Sequence, residues 1–415
     1  MNFFLTFFYN CIFLLLIIVY IPGLFLKGKY HKGVWERFRC ALPESTKGKN
    51  VIWFHAVSVG EVLAIVDLLK KLRKVLPEYT FVLSVVTQTG HDIARTQLKN
   101  LCLIIYAPLD LSWIVRQFIK VINPCLYVAT ETEIWPNLYG ALFKSKVPII
   151  QVNGRISDQS FKGYKSVLFL TRSILSCVSC FCVQSEQDAT RLKILGADPQ
   201  KIVVAGNVKF DNLLSVGSGQ YDVGEGRLLV AGSTHSGEEE IVLNIYQRLR
   251  CEFSDLRLVI APRHVERVES VMKLIKEKSL KVIKFSKMSG KKFKDDVVVV
   301  VDKIGVLRNL YPLANLVFIG KSFKVGGGQN MIEPVACGKP TFVGPYTQNF
   351  KDVMNIFLSE NIIFQVADEK ELFRKMRNVL GNFQDYQQLA NKAKAVIRKH
   401  QGATERTIKC ITKLL

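Results

Sequence analysis

No strand in this chain is followed by Gly-x-Gly-x-x-Gly, and Gly-x-x-x-x-Gly-Lys-Ser/Thr is absent as well. These two absences remove the dinucleotide-binding and P-loop readings. No Asp-x-Asp pair stands out as a metal–diphosphate site. RNA-recognition, helix-turn-helix and zinc-finger signatures are missing. No tract is of low complexity. Acidic residues are scarce, 35 against 57 Lys and Arg, for a net charge of +22. Such a surface seeks anions: nucleic acid, anionic lipid or a phosphorylated substrate. The plain alternative is a generally lysine-rich composition. Ten cysteines are scattered irregularly. The tightest group, Cys177-x-x-Cys180-x-Cys182, lies in a run that reads as a strand. It has no matching His or Cys pair nearby, so no metal site is expected, only small buried thiols in a reducing compartment.

Charge is also missing between Phe3 and Phe25, a run of Phe, Leu, Ile and Val. About 20 apolar residues span a bilayer. A basic leader and a small-residue cleavage site are both lacking, which argues against a removed signal peptide. Lys27, Lys29, Lys32, Arg37, Arg39, Lys47 and Lys49 follow, against Glu36 and Glu44. The expectation is an N-terminal membrane anchor over 1–26. The remainder stays on the cytoplasmic side by the positive-inside rule, and lysines beside an anionic leaflet add attraction. Asn10, Pro22 and Gly23 interrupt the run.

With 415 residues, 49% of them hydrophobic, the chain is long enough for two globular domains. Short apolar runs alternate with helical patterns. Strands are expected near Val51–Ala56, Thr80–Val86, Leu101–Tyr106, Leu126–Ala129, Pro148–Val152, Val178–Val183 and Ile202–Ala205. A Gly- and Ser-rich stretch, Ser215 to Gln220, reads as a linker. A second series runs through Arg227–Ala231, Arg257–Ala261, Val282–Phe285, Val297–Val301, Leu316–Ile319, Thr341–Val343 and Ile362–Val366. Two such series predict two doubly wound α/β domains, 27–216 and 217–415, with the active site expected in the cleft between them.

The densest local signal is Trp53-Phe54-His55-Ala56-Val57-Ser58-Val59-Gly60-Glu61. A buried strand breaks at Ser58-Val59-Gly60, and a helix follows with Val62, Ile65, Leu68, Leu69 and Leu72 at helical spacing. Open α/β sheets bind ligands at such junctions. Glu61, in the first turn, is either a general base or a carboxylate that offsets the helix dipole. Glu131 follows the Leu126–Ala129 strand. It acts on substrate, or with Glu133 it caps the next helix, whose start Trp135-Pro136 shapes. Arg263, after Arg257–Ala261, is placed to meet phosphate. Lys209 could face a phosphate or a carboxylate. Ser233-Thr234 donates to phosphate or is a plain N-cap. Gly326-Gly327-Gly328 either gives amides to phosphate, with Glu333 toward ribose hydroxyls, or is a loop. His55 reads as a buried strand histidine.

The ordered set of motifs resembles one family, the 3-deoxy-D-manno-octulosonic acid (Kdo) transferases of Gram-negative bacteria. The set is His55 to Glu61, Glu131-Thr132-Glu133-Ile134-Trp135-Pro136-Asn137, Asn207-Val208-Lys209-Phe210-Asp211, and Ser233-Thr234-His235 with Gly237-Glu238-Glu239. It continues with Ala261-Pro262-Arg263-His264, Gly327-Gly328-Gln329-Asn330 with Glu333, and Asn349-Phe350-Lys351-Asp352. The resemblance implies a GT-B glycosyltransferase, two Rossmann-like domains facing a cleft. It implies metal-independent, inverting transfer of Kdo from CMP-Kdo to the lipid A precursor (lipid IVA) at the cytoplasmic face of the cell inner membrane, with no cofactor and no nucleic-acid partner. Glu61 matches the family's general base, and Glu131 and Lys209 match residues of transition-state stabilisation. The CMP-binding segments match Pro262-Arg263, Ile304-Gly305-Val306 and Asn330-Met331-Ile332-Glu333. Three departures stand out. Gln329 replaces the usual His, which exchanges a possible cation for a neutral donor. Gly305-Val306-Leu307 replaces Gly-Glu-Leu. Lys321 and Gly326 stand where the family carries other residues. The competing readings are a GT-B enzyme using another nucleotide sugar, and a non-enzymatic basic protein of membrane surfaces or nucleic acid.

Overall fold

In a computed structural model, β1 (Val51–Ala56) is buried along its whole length. The structure describes residues 6–15, 33, 35–40, 42–43, 46, 48–213, 221, 226–288, 296–324, 326–382 and 386–415. Val51 and Trp53 join one core while Ile52, Phe54 and Ala56 join another. That division is what period-two alternation produces in a parallel strand covered on both faces. The partners of β1 are β2 (Thr80–Val85), β3 (Leu103–Tyr106), β4 (Pro124–Thr130), β5 (Ile149–Gly154), β6 (Cys180–Val183) and β7 (Ile202–Val204). They form one parallel sheet in the order β3-β2-β1-β4-β5-β6-β7. Trp53 opposes Tyr127 across β1 and β4, and their rings meet edge to face at 5.1 Å.

The second sheet contains β8 (Leu228–Thr234), β9 (Arg257–Pro262), β10 (Lys281–Lys284), β11 (Val297–Val300), β12 (Leu316–Ile319), β13 (Thr341–Val343) and β14 (Phe364–Gln365). Its order is β10-β11-β9-β8-β12-β13-β14, again parallel wherever strands pair. Each sheet starts in its middle, winds to one side, then jumps to the other side of its first strand. The resulting switch points, between β1 and β4 and between β8 and β12, are where doubly wound sheets bind ligands. The two Rossmann-like units are consistent with the GT-B class.

The chain divides into one unit of Met1–Asn212 with His400–Leu415, and a second of Leu213–Lys399. The sequence reading gave everything after 216 to the second domain, but the last helix, Ala403–Thr412, belongs to the first. Asp211 is the reason: its carboxylate accepts from the backbone N–H groups of Gly402 and Thr404 at 2.7 and 2.5 Å, capping that helix. The stretch expected to be a linker, 215–220, lies outside the described residues.

The expected membrane anchor is not supported. Among the described residues, no helix is long and apolar enough to cross a membrane. Residues 6–15 form a helix that docks on the first unit through two of its polar side chains, Tyr9 and Asn10. Tyr9 donates to Asp110 at 3.0 Å, and Asn10 bonds Ser112 and Asn137 at 3.0 and 2.9 Å. Phe13 and Leu14 pack against the core. Asn10, read as an interruption of the span, is therefore a docking contact, while Pro22 and Gly23 lie outside the described residues. Residues 1–5 and 16–32 lie outside the described residues, so the rest of the expected span does too.

Candidate active site

The helix Val59–Val75 begins with a reciprocal cap. The Ser58 hydroxyl accepts from the Glu61 N–H at 3.5 Å, and the Glu61 carboxylate reaches back to accept from the Val57 N–H at 2.7 Å and from the Ser58 hydroxyl at 3.2 Å. This is a capping box displaced by one residue. It holds Glu61, only 6% exposed, at the β1 end of the first switch point. Burial pushes the Glu61 carboxyl up to about 8. Hydrogen bonding by Val57 opposes the rise, and Glu131 and Glu133 add to it. Burial, then Glu131, pushes Glu133 up to about 7. Three acids thus gather where β1 and β4 part.

Glu131 follows β4 directly and is left-handed, with φ of 57°. For a side chain without glycine's freedom this is a strained conformation, the kind that clusters at functional sites. Its N–H donates to the Val152 carbonyl at 2.8 Å, which fixes the turn. Neither Glu131 nor Glu133 caps the following helix, Pro136–Lys144. Asp110 does so, accepting from the N–H groups of Asn137 and Leu138 at 3.1 and 2.9 Å. Pro136 occupies the first helical turn, where a missing N–H costs nothing. Nothing in the local sequence marks Asp110, which arrives from the loop after β3. His55 is a buried strand residue whose Nδ1 meets the Ser84 hydroxyl at 2.9 Å. Burial lowers its pKa to about 4, so it is neutral.

Lys209 rises from the end of β7. Three strand spacings separate β7 from β4, roughly 14 Å at the usual ~4.8 Å each, so the sheet does not seat Lys209 beside the three acids. Its neighbours in the motif do structural work. Asn207 bonds Gln184 at 2.9 Å, its oxygen accepts the Lys209 N–H at 3.0 Å, and Asn153 accepts the Val208 N–H at 3.3 Å.

In the second unit, Ser233 is left-handed at the end of β8 (φ 57°), and Lys321 is left-handed just beyond β12 (φ 58°). A Cβ on Gly320 would lie 2.5 Å from the Ser233 carbonyl oxygen, so only glycine lets the two strand ends approach. The buried Glu238 carboxylate ties this rim together. It accepts from the N–H groups of His235, Lys321, Ser322 and Phe323 at 2.7–3.0 Å. Thr234 is not the N-cap of the helix Glu238–Arg250. Gly237 is, and the Thr234 hydroxyl donates to Glu239 at 2.9 Å.

Pro262 ends β9, and Arg263 stands exposed beyond it, its N–H held by the Thr234 carbonyl at 3.0 Å. Exposed Ile304 and left-handed Gly305 lead into buried Val306. Two residues on, Arg308 lowers the Glu333 carboxyl electrostatically, while burial, the larger effect, raises it. Asn330 links its segment internally: its amide donates to Glu333 at 3.3 Å and its oxygen accepts the Ile332 N–H at 3.1 Å. Met331 and Ile332 are fully buried and hold the turn rather than face solvent. Arg308, two residues past the segment 304–306, thus lies near enough to act electrostatically on Glu333 of the segment 330–333. That arginine was missed, although its place two residues beyond Val306 was the available signal. Gly327, with φ of 81°, has no room for a Cβ against Asn349 at 2.7 Å. The glycine run is a loop pinned by the Asn349 motif.

The family model for 3-deoxy-D-manno-octulosonic-acid transferase matches residues 32–212. A 3-deoxy-D-manno-octulosonic acid transferase of Chlamydophila psittaci is 32% identical over 85% of this chain and 84% of that protein. The chain belongs to the Kdo transferase family. It is therefore a glycosyltransferase by family. A bifunctional glycosyltransferase/methyltransferase of Fusobacterium nucleatum is 35% identical over 80% of this Kdo transferase family member, which spans about half (53%) of that longer protein. Among solved structures, a putative UDP-N-acetylglucosamine 2-epimerase from Listeria monocytogenes superposes with a TM-score of 0.61. It is 14% identical and covers 88% of this chain and 96% of its own. At that identity it is the fold that is shared.

Proposed function

We propose that this chain transfers Kdo from CMP-Kdo to a lipid A precursor, lipid IVA, with inversion and without a metal or cofactor. The observation that carries the reading is Glu61, a buried carboxyl at the first switch point with a pKa of about 8. A sugar hydroxyl is a poor nucleophile. As its oxygen bonds to the anomeric carbon of Kdo, the bond from that carbon to the CMP phosphate breaks, and CMP leaves with the electron pair. The hydroxyl proton passes to Glu61, whose basicity, raised by burial, suits the task. Glu131 steadies the positive charge developing on the sugar. Lys209 meets the Kdo carboxylate or the phosphate. Arg263 offsets the charge on the departing phosphate, and the segments at Ile304–Val306 and Asn330–Glu333 hold CMP, with Glu333 toward the ribose. Gln329 gives this chain a neutral hydrogen bond where its family usually offers His.

The deciding experiment is mass spectrometry of lipid IVA after incubation with the purified chain and CMP-Kdo, run beside UDP-sugars. A mass increase with CMP-Kdo alone supports the reading. A product with a UDP-sugar alone points to another GT-B enzyme. No product with any donor, and salt-sensitive binding unaffected by replacing Glu61, points to a basic binding protein.

A further inference from the structure

Cys180 and Cys182 are two apart on β6, so their side chains leave the same face of the sheet. The last helix, Ala403–Thr412, brings Cys410 to them. The three sulfur atoms lie within 4.8 Å of one another. All three cysteines are free; Cys182 is buried, and Cys180 and Cys410 are half-buried. Cys180 and Cys410 pack against the core cluster that contains Cys182, together with Ile408 and Leu414. The apolar setting gives the sulfurs few other partners, and the partial exposure of two of them leaves a route in.

Sulfurs around one metal ion at ~2.3 Å stand about 3.8–4.0 Å apart, so each pair here need close by about 1 Å or less. A disulfide would use only two of the three. The geometry points to a three-thiolate site for a thiophilic d10 metal ion, zinc(II) or copper(I), built from Cys180, Cys182 and Cys410. Soft thiolate ligands select such ions over magnesium or calcium. Zinc(II) completes four-coordination with a water molecule through the open side; copper(I) is satisfied by three sulfurs. The metal replaces the thiol protons and fastens the last helix to β6, far along the sequence. It is a structural site, apart from the acids at the first switch point, and does not depend on which sugar is transferred.

The test uses the full chain, reduced and stripped of metal. Zinc(II) is titrated in competition with a chromophoric chelator, and copper(I) anaerobically against bathocuproine disulfonate. The expected result is one equivalent of one of these ions, with Kd on the order of 10 nM or tighter. Cys410→Ser weakens binding at least ~100-fold. Cys251→Ser, an exposed thiol of the second unit, leaves it unchanged. A second measurement guards against misfolding of Cys410→Ser: alkylation of the unaltered chain is followed by peptide mass spectrometry. Bound metal slows labelling of Cys180 and Cys410 and leaves Cys251 reactive. The proposal is overturned by absence of stoichiometric binding of both ions, by equal affinity in Cys410→Ser, or by a disulfide joining two of the three cysteines in chain isolated without reductant.

Discussion

Replacing Glu61 by Gln separates the two duties of this side chain. The amide keeps an oxygen to accept the Val57 N–H, so the helix start survives, but it cannot take a proton. In the native chain the carboxyl is raised from its ordinary 4.5 to about 8 by burial first, with Glu131 and Glu133 adding to the rise. At about 1.36 kcal/mol per pKa unit, that difference corresponds to roughly 4.8 kcal/mol. Glu133 shares the pocket and titrates beside it, so about 2–4 kcal/mol falls to Glu61. The sign follows from linkage. The folded value lies above the unfolded one, so the native state holds more protons between about pH 4.5 and 8 and loses stability as pH rises through that window. Glu61→Gln does not titrate. Its stability advantage over the parent should open between pH 5 and 8 and level off above 8. At roughly 2–4 °C per kcal/mol for a unit of this size, the melting temperatures should diverge by about 4–16 °C. Calorimetry of both proteins from pH 5 to 9 measures this, and kcat of the variant should fall roughly 10²–10⁴-fold. A stability difference that does not change with pH would refute the burial argument. Near-normal kcat would refute the role as base.

The pH profile of the native enzyme should rise about tenfold per unit below pH 8 and flatten above it, since roughly a tenth of Glu61 is ionised at pH 7; a flat profile from pH 6 to 9 contradicts Glu61 as base. Arg263→Ala and Glu333→Ala should each weaken CMP by roughly 10–100-fold in calorimetry while sparing acceptor binding, and unchanged affinity in both would move the nucleotide elsewhere. Asp110→Ala strips two helix N–H groups and Tyr9 of their acceptor and should cost about 2–4 kcal/mol in urea unfolding; a loss under 0.5 kcal/mol, an order-of-magnitude threshold at the level of a single surface change, would show that the cap is dispensable.

Much of the architecture was legible because buried parallel strands announce themselves. β1 and β12 read directly as apolar runs, and the helix after β1 buries the same Val62, Ile65, Leu68, Leu69 and Leu72 that its spacing marked. Glu61 was visible for a related reason: a strand, a turn and a carboxylate occur within a few residues. What was hidden depends on contacts between distant segments. Asp110 caps a helix from another loop, and Arg308 acts on Glu333 electrostatically from the short helix Leu307–Leu310. Cys410 completes a sulfur cluster only because the last helix returns to the first unit. The N-terminal run misled for the opposite reason. Its composition suits lipid, and periodicity alone cannot reveal that Tyr9 and Asn10 are committed to Asp110, Ser112 and Asn137.

The left-handed residues bring the two rims under one argument. Glu131 follows the fourth strand of the first sheet, and Ser233 and Lys321 flank the corresponding gap in the second. Each conformation costs on the order of 1–3 kcal/mol, and glycine would relieve it. A chain that places glycine at 320 and 327, where backbones or side chains press close, has glycine available. At these three positions it keeps a carboxylate, a hydroxyl and an ammonium instead. Lys146 and Ser279 adopt the same conformation just past helix ends, so the strain alone does not mark a site. What distinguishes Glu131, Ser233 and Lys321 is their place, at the strand ends where sheets of this topology bind their ligands.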